Sequence, residues 1–183
     1  MKRHICAVPV ILVILGQAQV SQADEQWPQF RGPDAKGVSE GSDLPIRWSE
    51  TENVMWNTEI PGLGWSSPIV WNDSIYLTSV VSGEPVEEPL GGLYRGRETW
   101  LPSTAEHRWL VYALDVETGA IRWAREVHSG VPTHGHHLKN TLASETPITD
   151  GESVFVYFGN VGVFALDTNG TLQWSYELKA SNT

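Results

Sequence analysis

One pattern occurs twice in this chain and limits the fold more than any other feature. Trp109-Leu-Val-Tyr-Ala-Leu-Asp115 is followed by Thr118-Gly119 and then Ile121-Arg122-Trp123. Val161-Gly-Val-Phe-Ala-Leu-Asp167 is followed by Asn169-Gly170 and then Leu172-Gln173-Trp174. The two aspartates are 52 residues apart (115 to 167) and the two tryptophans 51 (123 to 174). A second pair precedes them. Ser67-Pro-Ile-Val70, Asn72-Asp73 and Ser74-Ile-Tyr-Leu77 match Thr146-Pro-Ile-Thr149, Asp150-Gly151 and Ser153-Val-Phe-Val156, at an offset of 79 (67 to 146). The two offsets differ by 27 (79 against 52), so the first copy carries an insertion of that size between its second and third strands. Residues 81–107, rich in Gly, Pro and Glu and lacking alternation, are where it falls.

Each copy predicts four short strands: 67–71, 74–80, 108–115 and 120–127 in the first, and 146–149, 153–158, 161–167 and 171–177 in the second. Asn72-Asp73 and Asp150-Gly151 are two-residue hairpin signals that tolerate positive φ. Asp115 to Gly119 and Asp167 to Gly170 each begin with an acceptor side chain and end in glycine, as tight turns do. Strands joined so closely must be antiparallel neighbours. Four up-and-down strands make one propeller blade. The expected class is therefore all-β: a β-propeller of four-stranded antiparallel blades, with blades at 67–127 and 146–177. Residues 54–60 repeat the tryptophan pattern of a fourth strand ahead of the first blade, and are expected to be a closing strand. Two blades and one strand do not close a ring, so residues 54–183 are read as a partial propeller and the chain as an N-terminal fragment. The stretch 24–53 is expected to be an extended segment.

Composition supports this class. All nine tryptophans lie after residue 23, the whole chain holds 17 glycines and 11 prolines, and no stretch after residue 23 has a long apolar period of 3.6. Residues 1–23 read differently. A basic start, Lys2-Arg3-His4, precedes an apolar run from Ile5 to Gly16 and the small-residue site Ser21-Gln22-Ala23. That is the layout of a secretory signal peptide cleaved after Ala23, and the run is shorter than the ~20 residues of a membrane span. Export to the periplasm or beyond is the expectation. The single cysteine, Cys6, falls inside the leader, so residues 24–183 supply no disulfide, haem c attachment or thiol nucleophile. Without Lys2 and Arg3 there are 10 basic and 22 acidic side chains, a net charge of −12 (10 against 22). Such a surface repels phosphate backbones, so no nucleic-acid partner is expected.

The Ala-Leu-Asp, Thr-Gly or Asn-Gly, and Trp pattern resembles the repeat of quinoprotein-like (PQQ-binding-like) β-propellers. Trp27-Pro28-Gln29-Phe30-Arg31-Gly32-Pro33, Gly37-Val38-Ser39, Leu44-Pro45-Ile46-Arg47-Trp48, Gly64-Trp65-Ser66-Ser67-Pro68 and Lys139-Asn140-Thr141-Leu142-Ala143-Ser144-Glu145-Thr146-Pro147 are similar to segments of secreted bacterial members. That family includes PQQ-dependent alcohol dehydrogenases and a propeller lipoprotein of the outer-membrane assembly machine. The resemblance implies that Trp123 and Trp174 sit between blades, each stacked on the next Thr-Gly or Asn-Gly turn. It implies the same part for Trp56 against a blade that the sequence lacks. Asp115, Gly119, Asp167 and Gly170 are the turn residues of this structural repeat.

The resemblance also raises PQQ with calcium as a cofactor, but no acidic cluster here matches such a site residue by residue and no Cys-Cys pair is present. No catalytic residue is assigned. His134, His136 and His137, with His128 nearby, are candidate zinc or copper ligands, weighed against an exposed polar loop. Lys139-Asn140 could line a propeller face. Glu84 to Glu88 is an acidic run without the alternation of a calcium loop, and Arg95-Gly96-Arg97 reads as local charge pairing. The leading reading is an exported binding or scaffold module with another exported or envelope protein as partner. A PQQ-dependent oxidoreductase of an alcohol or sugar, and a metal-binding propeller, are the alternatives.

Overall fold

The computed structural model describes residues 26–39, 41, 44–85, 102–137, 140–159 and 161–178. Two four-stranded antiparallel sheets follow one another along the chain. The first runs β1 (Ile69–Trp71), β2 (Ser74–Ser82), β3 (His107–Asp115) and β4 (Ile121–Gly130). The second runs β5 (Ile148–Thr149), β6 (Ser153–Phe158), β7 (Gly162–Asp167) and β8 (Leu172–Glu177). Strand order equals chain order in both, as it must when every join is a hairpin. The only helical turn among the described residues is a 3-10 turn at Pro33–Ala35. Among the described residues the fold is all-β, two successive four-stranded antiparallel sheets of the kind that stack as propeller blades, without a closed ring.

The register makes the sequence repeat a spatial one. Ile69 pairs with Tyr76, Tyr76 with Ala113, and Ala113 with Trp123. In the second sheet Ile148 pairs with Phe155, Phe155 with Ala165, and Ala165 with Trp174. A bulge follows Ala113 in one sheet and Ala165 in the other. The turns explain why the aspartates recur. Asp115 Oδ1 accepts from the Glu117 and Thr118 N–H groups at 3.1 and 2.8 Å. Asp167 Oδ1 accepts from those of Asn169 and Thr171 at 2.9 and 2.8 Å. Each carboxylate replaces a strand partner that the turn cannot provide.

Alternation divides the apolar side chains between two cores. Ile69, Tyr76, Trp109, Val111 and Ala113 face one way and meet Val154, Val156, Phe158, Phe164 and Leu166 of the second sheet. Leu110, Tyr112 and Leu114 face the other way and are covered by Trp56 and Ile60. Side chains that alternate across a strand can serve two interfaces only if each sheet is packed on both faces, as in stacked blades.

Several expectations shift. Val81, Ser82 and His107 belong to strands, so the insertion spans 83–106; residues 86–101 lie outside the described residues. Residues 54–60 form no strand, because no neighbouring strand offers them backbone partners among the described residues. They are extended and attached through side chains. Trp56 Nε1 donates to Val116 O at 3.0 Å, and Thr58 Oγ1 donates to Gly119 O at 2.7 Å. Trp56 therefore stands on the Asp115–Gly119 turn of the first sheet, not against a blade that the sequence lacks. The segment 24–53 is not simply extended either: it includes the 3-10 turn and a tight turn between Ser49 and Glu52. Residues 1–23, the expected leader, lie outside the described residues.

Candidate binding surfaces

Four surfaces carry the side chains singled out above. The first is the seam between the sheets. Trp123 Nε1 donates to Thr168 O at 3.0 Å, and the Arg125 guanidinium donates to Gly170 O at 2.7 Å. A Cβ on Gly170 would lie 2.7 Å from the Trp123 ring, and one on Gly119 would lie 2.3 Å from Trp56. Both glycines have φ between 70° and 80°. Only glycine combines that backbone with so close an approach. Trp174 occupies the same register position as Trp123 but is 49% exposed, and no turn faces it among the described residues.

The second surface is the lower rim of the first sheet. Arg122 donates to Asp115 Oδ2 at 2.5 Å, to Asp73 Oδ2 at 2.8 Å and to Ser74 Oγ at 2.9 Å. The Arg122 hydrogen bond, helped by Thr118, holds the Asp115 carboxyl far below the usual carboxylate range. The same arginine lowers Asp73. Asp150 and Asp167 are lowered by turn N–H groups, of Ser153 and Thr171 first. These carboxylates are engaged with turns and Arg122. Among the described residues no three His, Cys, Asp or Glu side chains gather as metal ligands. This donor set does not fit a quinone–metal pair.

The third surface holds the histidines, at the end where the 83–106 and 131–147 connections leave the first sheet. His107 is buried, with Nδ1 at 2.9 Å from Ala105 O. The His128 ring meets Trp109 edge-on at 5.1 Å. Burial, and then His107, push His136 below the ordinary histidine value. His134 is exposed, with Nδ1 at 2.9 Å from Thr133 Oγ1, and His137 is half-buried. Among the described residues His134, His136 and His137 do not gather into a three-ligand cluster. Sequence spacing missed His107, whose charge acts on His136 from 29 residues away (107 to 136). Asn140 accepts from Ser144 Oγ, while Lys139 lies outside the described residues. Glu84 accepts from Ser103 Oγ, Glu87 and Glu88 lie outside the described residues, and so do Arg95 and Arg97.

The fourth surface carries Leu44-Pro45-Ile46-Arg47-Trp48, one of the segments of the family resemblance. Ser49 and Glu52 exchange backbone hydrogen bonds at 3.0 and 3.3 Å, and Asn53 Nδ2 donates to Arg47 O at 2.8 Å. This turn lays residues 44–48 beside 53–55 and leaves Ile46, Met55, Trp48 and Leu44 exposed by 91, 82, 72 and 66%. The Leu44-Pro-Ile46 run was legible as a family-like segment, but its exposure was not, because 24–53 was expected to be extended.

Residues 98–183 match the protein-family model described as outer membrane protein assembly factor BamB. No curated protein matches. Among solved structures, BamB from Moraxella catarrhalis is similar at 21% identity and a TM-score of 0.31, over 68% of this chain and 36% of that one. The chain spans about a third of the length of that protein.

Proposed function

We propose, from a chain that carries the PQQ-like β-propeller repeat of the BamB-type family over residues 98–183, an exported binding or scaffold module whose partner is another protein of the cell envelope. The observation that carries this reading is the 44–55 arm, where four large apolar side chains stand in solvent on one tight turn. Contiguous exposed apolar surface of that kind marks interaction sites. Export rests on the leader pattern of residues 1–23. No helix among the described residues is long and apolar enough to cross a membrane.

Within the module, Trp123 locks the two sheets together and Trp56 fastens the 54–60 segment to the first, with Asp115, Gly119, Asp167 and Gly170 forming the turns that receive them. Trp174 offers the same lock to a further sheet. The envelope partner binds elsewhere, on the arm. A photo-crosslinking side chain at Ile46 of the full-length protein in intact cells is expected to capture one envelope protein, and capture should fall when Met55 is changed to Asp. A Met55→Asp variant that crosslinks as wild type does would contradict the reading. So would quinone absorbance and dye-linked alcohol oxidation on adding PQQ and Ca²⁺ to the purified protein.

A further inference from the structure

The free edge of β1 is not bare. Val70 N–H donates to Trp27 O at 2.9 Å, and Trp27 N–H donates to Val70 O at 2.8 Å. One residue on, Pro28 O accepts from Thr149 N–H of β5 at 3.0 Å. Gln26 fixes the other end: its Oε1 accepts from Asn72 N–H at 2.7 Å, and its Nε2 donates to Asn72 Oδ1 at 3.2 Å. Three consecutive residues, all half-buried, thus reach the first strands of both sheets. Pro28 has no N–H, so the strap needs no acceptor there on its outer side.

A knot behind the strap keeps it seated. Gly32 lies against the Trp27 ring, where a Cβ would come within 2.4 Å. Gly37 N–H donates to Arg31 O at 2.7 Å. Between Arg31 and Gly37, Arg31, Asp34 and Ala35 join the two glycines at φ from 55° to 68°. Side chains in that region are strained, and strain persists only where surrounding contacts enforce it. The strap itself is held to the two sheet edges by three backbone bonds and the Gln26 amide, few enough for a competing strand to displace it.

We propose that the free edges of β1 and β5 are a binding site for an extended peptide, kept filled by the chain's own Gln26-Trp27-Pro28. A ligand of this site adds a short strand: a C=O and N–H opposite Val70, an indole in the Trp27 position, an amide side chain before it and a carbonyl after it for Thr149. Edge addition supplies affinity through main-chain bonds and selectivity through the side chains between them. The site is separate from the 44–55 arm, so either can fail without the other.

Gly32→Val in the full chain places a side chain into the Trp27 ring and touches neither β1 nor β5. In this variant the Val70 and Thr149 amides are expected to exchange with deuterium at least about tenfold faster, while those of Val154 and Val156 in the core keep their rates. A fluorescent peptide of residues 26–36 should bind the variant in the micromolar range by anisotropy, bind wild type at least about tenfold more weakly, and lose binding when its Trp27 is replaced by Ala. Unchanged exchange at Val70 and Thr149 would overturn the proposal, as would a peptide that binds both proteins alike or neither. Should Gly32→Val lose core protection as well, Gln26→Ala, which alters only the end of the strap, must still speed exchange at Val70; an unchanged rate there would equally overturn it.

Discussion

Ile69, Tyr76 and Ala113 lead across the first sheet to Trp123, and Ile148, Phe155 and Ala165 lead across the second to Trp174. The rows are equivalent in sequence and register, yet they differ in environment. In the first, Ile69, Tyr76 and Ala113 are 0, 2 and 1% exposed. In the second, Ile148 is 48% and Trp174 49% exposed, and the strand that carries Trp174 is exposed throughout. The repeat decides which face is apolar; the neighbouring sheet decides whether that face is buried. An indole at the fourth-strand position therefore stabilises only where a glycine turn receives it.

The sharpest way to break this comparison is to truncate both indoles. Trp123→Ala removes the ring between the sheets and its bond to Thr168, and should cost about 3 kcal/mol in urea unfolding. Trp174→Ala should change stability by no more than about 0.5 kcal/mol, as exposed substitutions do. Equal losses would erase the distinction. Gly170→Ala approaches the same lock from the other side. The positive φ and the ring at 2.7 Å predict a loss of about 2 kcal/mol. Combined with Trp123→Ala it should cost less than the sum, because both changes strike one contact.

A smaller effect separates the rims of the two sheets. Arg122 binds Asp115 in the first sheet, while Gln173, at the matching position of the second, donates to Asp167 Oδ2 at 3.2 Å. Arg122→Gln makes the rims alike and should lower the melting midpoint slightly at neutral pH, since exposed ion pairs contribute little. The sign of its pH dependence is fixed. Asp115 is depressed in the fold, so wild type holds its advantage above the ordinary carboxylate value of 3.8 and loses it as the pH falls towards the lowered value. Midpoints of the two proteins should converge in acid.

The smallest effect is at His136. Its folded value lies below the ordinary 6.5, because burial and His107 oppose its charge. The unfolded chain then binds the proton first, so stability falls as the pH drops through 6.5 and levels off below the folded value. His136→Gln should flatten midpoints measured between pH 7 and 5.

Most of the fold was legible because hairpin strands write themselves in alternation, and Asp-to-Gly turns recur at fixed offsets. Seven of the eight strands begin and end within two residues of where the repeat placed them, and β4 runs three residues further, to Gly130. What escaped was contact without period. Trp27 pairs with Val70 through a single residue, and one residue has no alternation to read. Trp56 sits on Gly119 by its side chain alone, so its segment resembled a strand without being one. The histidines were legible as a group, but the partner that matters to His136 is His107, 29 residues away (107 to 136).

Indole N–H exchange, followed by NMR with each tryptophan assigned by substitution, reads the sheet-to-sheet lock directly. Trp56 and Trp123, whose Nε1 atoms donate to Val116 O and Thr168 O, should keep their protons far longer than Trp174. A Trp123 proton lost as quickly as that of Trp174 would contradict the account.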